Sequence, residues 1–366
     1  MLVLLGAGAS AAVGFPTSLR LIETLLEEER LIQAPQHRRA LYYVYHRLAA
    51  QAAADGRGEA PTIDVERVLT VLEQLAEFDT LPIAPFTAGL SREIGAFGVE
   101  RTSGMVDSRL ADAIGKAERD ARNNPRHLTR EIEKFRRAVV HEAGTTSPSA
   151  LFQSVRRSLV DAMVVYLSRP ASTLEPFAPF ASLIRSGRIA TVASLNFDTT
   201  LEQWLDSNDI AYELPGAKPS RAPAPGRLSV LKLHGSVDWK EGPYQEPALI
   251  LGEGNKLRAE GPFLDLFIQF RQASIEATRI LVVGYSFRDQ HINTVLASWL
   301  AEDVSREIDL IDPDPILAGF IRNANMQRHS AHLQLHGAAA EPADAINLIP
   351  AKMEDGLPEY CERWRT

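Results

Sequence analysis

Six short runs dominated by apolar residues stand out along the chain: Leu2 to Leu5, Ile189 to Leu195, Val230 to Leu233, Ile280 to Val283, Ile308 to Ile311 and His332 to Leu335. Most lack the polar alternation of a half-exposed strand. They read as strands buried on both faces, the kind found in parallel sheets covered by helices. The last five recur at intervals that mostly leave room for a crossover helix, and helical spacing fills those intervals at Leu201 to Leu205, Phe263 to Ala277, Ile292 to Leu300 and Ile316 to Met326. The pattern predicts an α/β fold with a doubly wound, Rossmann-like parallel sheet of about six strands.

The interval between the first run and the second is far longer than a crossover needs, and its patterns are helical. Apolar residues at three-and-four spacing predict helices over Leu19 to Arg30, His37 to Ala53, Val65 to Phe78 and Ala150 to Tyr166, with Asp64 or Thr62 placed to cap the third. Asp55 to Pro61, Gly144 to Pro148 and the proline-rich Pro215 to Gly226 read as loops. The expected organisation is a Rossmann-like core from residues 1–20 and 181–340, a helical insertion after the first strand at 21–180, and a C-terminal tail at 341–366. Within the insertion, Lys116, Arg119, Arg122, Arg126, Arg130, Lys134, Arg136 and Arg137 alternate with Glu118, Asp120, Glu131 and Glu133. That run is either a solvated helix face or a face for a partner.

Composition narrows the class without changing it. The 366 residues are 45% hydrophobic and 23% charged, ordinary for a globular protein, and 39 basic against 47 acidic side chains give a net charge of -8. No global attraction to nucleic acid or to an anionic membrane follows from that balance. Met1 to Leu5 lacks a basic flank and runs straight into Gly6, so it reads as a strand rather than a signal peptide. No apolar run approaches the ~20 residues of a membrane helix. A cytoplasmic protein is expected. The single cysteine, Cys361, excludes a disulfide framework or a four-thiolate zinc module within these residues.

Candidate chemistry lies at the ends of the predicted strands. Gly6-Ala7-Gly8-Ala9-Ser10 follows the first one, where glycine allows a tight turn and the close approach of backbone N–H groups to a pyrophosphate. A simple strand-to-helix turn has the same signature. Glu27, Glu28 and Glu29 lie where a dehydrogenase keeps its ribose-binding acid, yet they fall in a helical pattern, which argues against hydride transfer. The loop continues instead as Gly14-Phe15-Pro16-Thr17, suited to folding over a nucleotide. Candidate nucleotide contacts are therefore Gly6, Ala7, Gly8, Ser10, Phe15, Pro16 and Thr17.

Asn196 and Asp198 follow the second strand. A buried amide there needs partners such as a ribose or a water, while Asp198 either caps the next helix or joins the site. His234, at the end of the third strand, is the best general-base candidate in the chain. Gly284, Tyr285 and Ser286 end the fourth strand as possible phosphate or ribose contacts, with Asp289 placed to cap the following helix; Asp312 ends the fifth as a possible adenosine contact. His329, His332 and His336 lack an acid or thiolate partner at ligand spacing, so no metal site is expected.

Taken in order, the Gly6 to Ser10 turn with Gly14-Phe15-Pro16, Asn196-Phe197-Asp198, His234-Gly235 and Gly284-Tyr285-Ser286 resemble the sirtuin superfamily over residues 1–20 and 185–315. Thr62-Ile63-Asp64-Val65-Glu66 resembles the defence-associated, sirtuin-like branch of bacterial antiphage systems. Protein-deacylating sirtuins differ: they carry a four-cysteine zinc module, Asp-Phe-Arg where this chain has Thr17 to Arg20, and glutamine where it has Leu195. The resemblance implies a zinc-free enzyme with NAD as substrate, cleaving it to nicotinamide and ADP-ribose to deplete infected cells of NAD. Asn196 would orient the ribose or a water, His234 would accept a proton, and Asp198 would support the ribose or the Asn196 loop. A deacylase, an ADP-ribosyl transferase and a non-catalytic NAD or ADP-ribose sensor stay open as alternatives. The expected partners are copies of the chain itself and a separate activator such as a HerA-type ATPase or a short Argonaute, with nucleic acid reached only through such a partner.

Overall fold

The computed structural model describes residues 1–54, 63–78, 148–216, 227–241, 246–250, 263–335 and 345–364. The chain divides into two compact units, one of Met1–Thr17 with Leu167–Thr366 and one of Ser18–Tyr166. The first contains all nine strands found among the described residues: β1 (Leu2–Leu5), β2 (Thr191–Ser194), β3 (Tyr212–Glu213), β4 (Leu228–Lys232), β5 (Gly235–Glu241), β6 (Glu246–Leu249), β7 (Arg279–Val283), β8 (Glu307–Ile311) and β9 (Ile346–Ile349). Seven of them form one sheet in the order β3-β4-β2-β1-β7-β8-β9, with every pairing parallel, and β5 and β6 make a separate antiparallel pair.

The expected doubly wound, Rossmann-like fold is present. β1 and β4 are buried at every position, and β7 and β8 at all but their first residue, which is why their sequences show no alternation. The strand period of two still sorts side chains onto two faces. Leu2 and Leu4, Ile280 and Val282, and Ile308 and Leu310 share one core with Phe263, Phe270, Ile292, Leu296, Trp299 and Phe320. The latter come from α8 (Phe263–Glu276), α9 (Gln290–Glu302) and α10 (Ala318–Leu335). The same unit holds α1 (Ala7–Ala12), α6 (Phe180–Arg185), α7 (Thr200–Ser207) and α11 (Met353–Glu362).

Two expectations are corrected. His332 to Leu335 is the last turn of α10 rather than a strand, and the seventh strand is Ile346–Ile349. The segment expected to be a tail from 341 therefore completes the sheet with β9 and packs α11 on it. A Cβ on Gly356 would lie 2.9 Å from Ile311 Cγ2 and 3.2 Å from Ile349 Cγ2, so this helix approaches the strands as closely as a side-chain-free position permits.

The described elements of the second unit are all helices: α2 (Ser18–Glu27), α3 (Pro35–Ala54), α4 (Val65–Ala76) and most of α5 (Pro148–Leu167). Leu21, Ile22, Leu25 and Leu26 are buried on α2, and Val65, Val68, Leu69 and Leu72 on α4, the spacing of one helical stripe. Asp64 caps α4 by accepting from the Arg67 N–H at 2.7 Å. Thr62, the loops at 55–61 and 144–147, most of the 215–226 connection and the basic run at 116–137 lie outside the described residues. Among the described residues no helix is long and apolar enough to cross a membrane.

Candidate functional site

Parallel pairing places the C-terminal ends of all seven strands along one edge. The register sets Leu5 beside Ser194 and Val283, Ser194 beside Lys232, and Val283 beside Ile311. Gly6, Asn196, His234, Gly284 and Asp312 thus leave the sheet along the same edge. At β1 the winding reverses, with β2, β4 and β3 on one side and β7, β8 and β9 on the other, and ligands of open α/β sheets bind where this happens.

The glycine turn packs backbone against backbone. The Gly6 N–H donates to the Val283 carbonyl at 2.9 Å, the Gly8 N–H to the Gly284 carbonyl at 2.8 Å, and the Gly284 N–H to the Ile311 carbonyl at 2.9 Å. A Cβ on Gly6 would stand 2.5 Å from Gly284 O, and one on Gly8 would stand 2.6 Å from Gly284 Cα. These glycines are required by contact with the chain after β7. Two of the N–H groups expected to face a pyrophosphate are committed inside the fold, so a phosphate at this turn would have to be met by other groups. Ala7 is half-buried at the start of α1; Phe15 is buried, its N–H donating to Ser10 O at 3.0 Å, and Pro16 and Thr17 are half-buried.

Ser10 and Asp198 meet across the edge. The Ser10 hydroxyl donates to Asp198 Oδ2 at 2.6 Å, while Asp198 Oδ1 accepts from the Thr200 N–H at 3.1 Å and from its hydroxyl at 2.5 Å. Both carboxylate oxygens are engaged and the residue is buried, so Asp198 ties α1 to the start of α7 and has no free face for a ribose. Beneath it lies Lys232, whose side chain is 1% exposed; its ammonium pairs with Glu202 Oε1 at 3.1 Å and donates to the Asp198 carbonyl. Burial raises the Glu202 carboxyl above the usual range, and the neighbouring Lys232 charge pulls it back.

Asn196 and His234 occupy successive places on this frame. The Leu195 N–H donates to Leu5 O at 3.0 Å and the Leu233 N–H to Ser194 O at 2.9 Å, so Asn196 and His234 come next in register on neighbouring strands. The Asn196 amide donates to Gly6 O at 2.9 Å, which leaves its Oδ1 without a partner among the described residues. His234 Nε2 lies 2.9 Å from Asp289 Oδ2, and the Phe197 ring packs on the imidazole with centroids 6.1 Å apart. Asp289 does cap α9, through Oδ1 to the His291 and Ile292 N–H groups at 2.9 and 3.3 Å, but its other oxygen serves the histidine. The chain brings this pairing about only in the fold, since Asp289 and His234 are 55 residues apart.

The remaining candidates separate into buried and accessible positions. Tyr285 is core: its ring lies 4.8 Å from that of Phe287, and its hydroxyl reaches Asn293 Oδ1 at 2.8 Å and Asp289 O at 3.0 Å. Ser286 is exposed beside it. Asp312, half-buried at the end of β8, accepts from the Asp314 N–H at 2.9 Å, and burial raises its carboxyl above the usual range. A cavity of about 620 Å³ lies away from this edge, between Ala12, Glu175, Pro179, Glu354 and Pro358. It contains none of the strand-end residues. No group of residues able to hold a metal ion occurs among the described residues; the side chains of His329 and His332 and all of His336 lie outside them.

A doubly wound parallel sheet with a glycine turn on its central strand, and an amide and an imidazole at the same edge, defines a Rossmann-like α/β protein with its candidate site at that edge. Residues 190–316, which carry Asn196, Asp198, His234, Gly284 and Asp289, match the family model of the SIR2-like domain, and the chain is sirtuin-like over that stretch. SIR2-like domains bind NAD and are typically NAD-dependent enzymes, which ties the site to NAD chemistry in general. No curated protein matches the chain.

Proposed function

We propose that this protein is an NAD glycohydrolase that cleaves NAD to nicotinamide and ADP-ribose. The observation carrying the reading is the adjacency of Asn196 and His234, each keeping one acceptor atom that no described residue uses, at the edge where the sheet's winding reverses. Unused acceptors next to a glycine turn suit ribose hydroxyls and a water.

The bond dictates the division of labour. When the nicotinamide–ribose bond breaks, its electron pair goes to the ring nitrogen and nicotinamide leaves neutral, so no general acid is required. Positive charge develops on the ribose, as in glycoside hydrolysis. A water oxygen then bonds to that carbon and its proton passes to His234, while Asn196 Oδ1 accepts a hydrogen bond from the water or from a ribose hydroxyl and so orients it. Asp198 acts through its neighbours, holding α1 and the Asn196 loop in place. With one cysteine in these 366 residues, a four-thiolate zinc module of the deacylating kind has no ligands here.

The test is incubation with NAD followed by separation of products. His234→Ala and Asn196→Ala should each slow nicotinamide release by about 100-fold or more. Equal rates in parent and variants would overturn the assignment; product formed only with an acyl-lysine peptide would indicate a deacylase, and tight NAD binding without turnover a sensor. The setting we propose is NAD depletion by a cytoplasmic, homo-oligomeric antiphage effector, held off until a separate activator contacts the helical unit. A HerA-type ATPase and a short Argonaute are the candidate activators. A monomeric mass that candidate activators leave unchanged would count against that arrangement.

A further inference from the structure

The residues from Gly284 to Asp289 reach across the functional edge. They leave β7, yet Asp289 arrives at His234, which follows β4, and in the sheet β1 and β2 stand between those strands. At the usual strand spacing that is a crossing of about 14 Å. Gly284 at φ +61° and Phe287 at φ +54° are the two left-handed residues that bend the chain to make it. Tyr285 and Phe287 are buried beneath the crossing, and the Asn293 amide donates to the Phe287 carbonyl at 2.7 Å. Helix capping alone would not require Asp289 to end above another strand's histidine.

The carboxylate has two separate tasks. Oδ1 is held by the first N–H groups of α9, with Asp289 at φ -76° and ψ 108°, a usual N-cap conformation. That hold fixes the direction of Oδ2, which meets His234 Nε2 at 2.9 Å. The two side chains are 8% and 5% exposed, so water competes little for this contact. An ionised carboxylate can only accept, so in a neutral imidazole opposite it the proton resides on Nε2 and the lone pair on Nδ1. Nδ1 has no partner among the described residues.

We propose that Asp289 is a positioning residue that fixes His234 in the tautomer protonated on Nε2, making Nδ1 the atom that takes the proton from the attacking water. The inference rests on the hydrolase reading for the identity of that water, but the tautomer itself is a property of the free protein. It also specifies on which side of the ring the substrate lies: the Nδ1 side, away from α9.

Asp289→Asn separates this role from helix capping. Asparagine caps as well as aspartate, so its oxygen keeps the α9 N–H groups. Its NH2 then faces Nε2 and donates, which moves the imidazole proton to Nδ1 and leaves no lone pair where the water must deliver its own. The melting temperature and the KM for NAD should stay close to the parent values, while kcat falls by about 100- to 10,000-fold. Nitrogen-15 NMR of the imidazole at a pH where the ring is neutral should show the Nε2-protonated form in the parent and the Nδ1-protonated form in the variant. An Nδ1-protonated parent overturns the proposal, and so does a variant with the parent's kcat. If the variant does not fold, the parent spectrum alone decides. Should the spectra be as expected while neither protein releases nicotinamide, it is the hydrolase reading that fails, and the tautomer assignment stands.

Discussion

Buried titratable side chains are stabilised here in two different ways. Lys232 and Glu202 keep charge inside by pairing with each other, with the Asp198 carbonyl as a further acceptor for the ammonium, and removing one member of the pair would strand the other. His46, on α3 of the helical unit, is buried between Tyr42 and Tyr45, with ring centroids 6.1 and 5.4 Å away, and burial pushes its pKa from 6.5 down to about 4. Between those values the unfolded chain binds the proton and the folded chain does not. Stability is therefore fully present above pH 6.5 and is lost as pH falls toward 4, by about 3 kcal/mol at most from this group. Denaturant unfolding of His46→Leu from pH 7 to 4 should show a flatter acid slope than the parent. Of the candidate site, the strand-end residues were legible because an amide or imidazole just after an apolar run is placed by the strand itself. The partners of His234 and Lys232 were not, since Asp289 and Glu202 reach them only through the tertiary fold.

At the level of elements, the strands buried on both faces were readable because burial removes alternation from the sequence. β9 escaped for the opposite reason: it is an edge strand with its two middle residues exposed, and Ile346-Asn347-Leu348-Ile349 has neither an unbroken run nor a regular alternation. His332 to Leu335 looked strand-like only because so short a segment does not distinguish periods of two and 3.6. The glycine turn was located correctly, though its need for glycine comes from the facing loop. Gly284→Ala should therefore act on that contact. Its φ of +61° and a Cβ only 2.5 Å from Gly8 Cα set backbone against backbone, with no flexible side chain to move aside. A loss of about 2–5 kcal/mol is expected, read from denaturant unfolding; a loss below 1 kcal/mol would mean that the turn and loop can separate.

In the sheet-bearing unit, the C-terminal segment acts as a fastener. Asp309, buried in β8, accepts from Arg279 at 2.9 Å, from the Tyr360 hydroxyl at 2.8 Å and from Asn347 at 2.9 Å, which joins β7, β8, β9 and α11. Burial, with Asp309 beside it, raises the Tyr360 hydroxyl above its ordinary pKa, so it stays a donor. Deleting residues 345–366 would strip two of these donors from a buried carboxylate and uncover Ile311. The shortened chain should lose the cooperative melt of its sheet-bearing unit in circular dichroism; an unchanged transition would show that six strands suffice.

The central strand also bears on when the candidate site can assemble. Leu2 is made well before its neighbours in the sheet, Thr191 and Ile280, so β1 must wait for both partners to be synthesised. Pairings this distant in sequence form slowly. The glycine turn, the Asn196 loop and the Asp289 crossing are brought together only when β7 and α9 have left the ribosome. A nascent chain thus carries no assembled candidate site until those elements have emerged and folded.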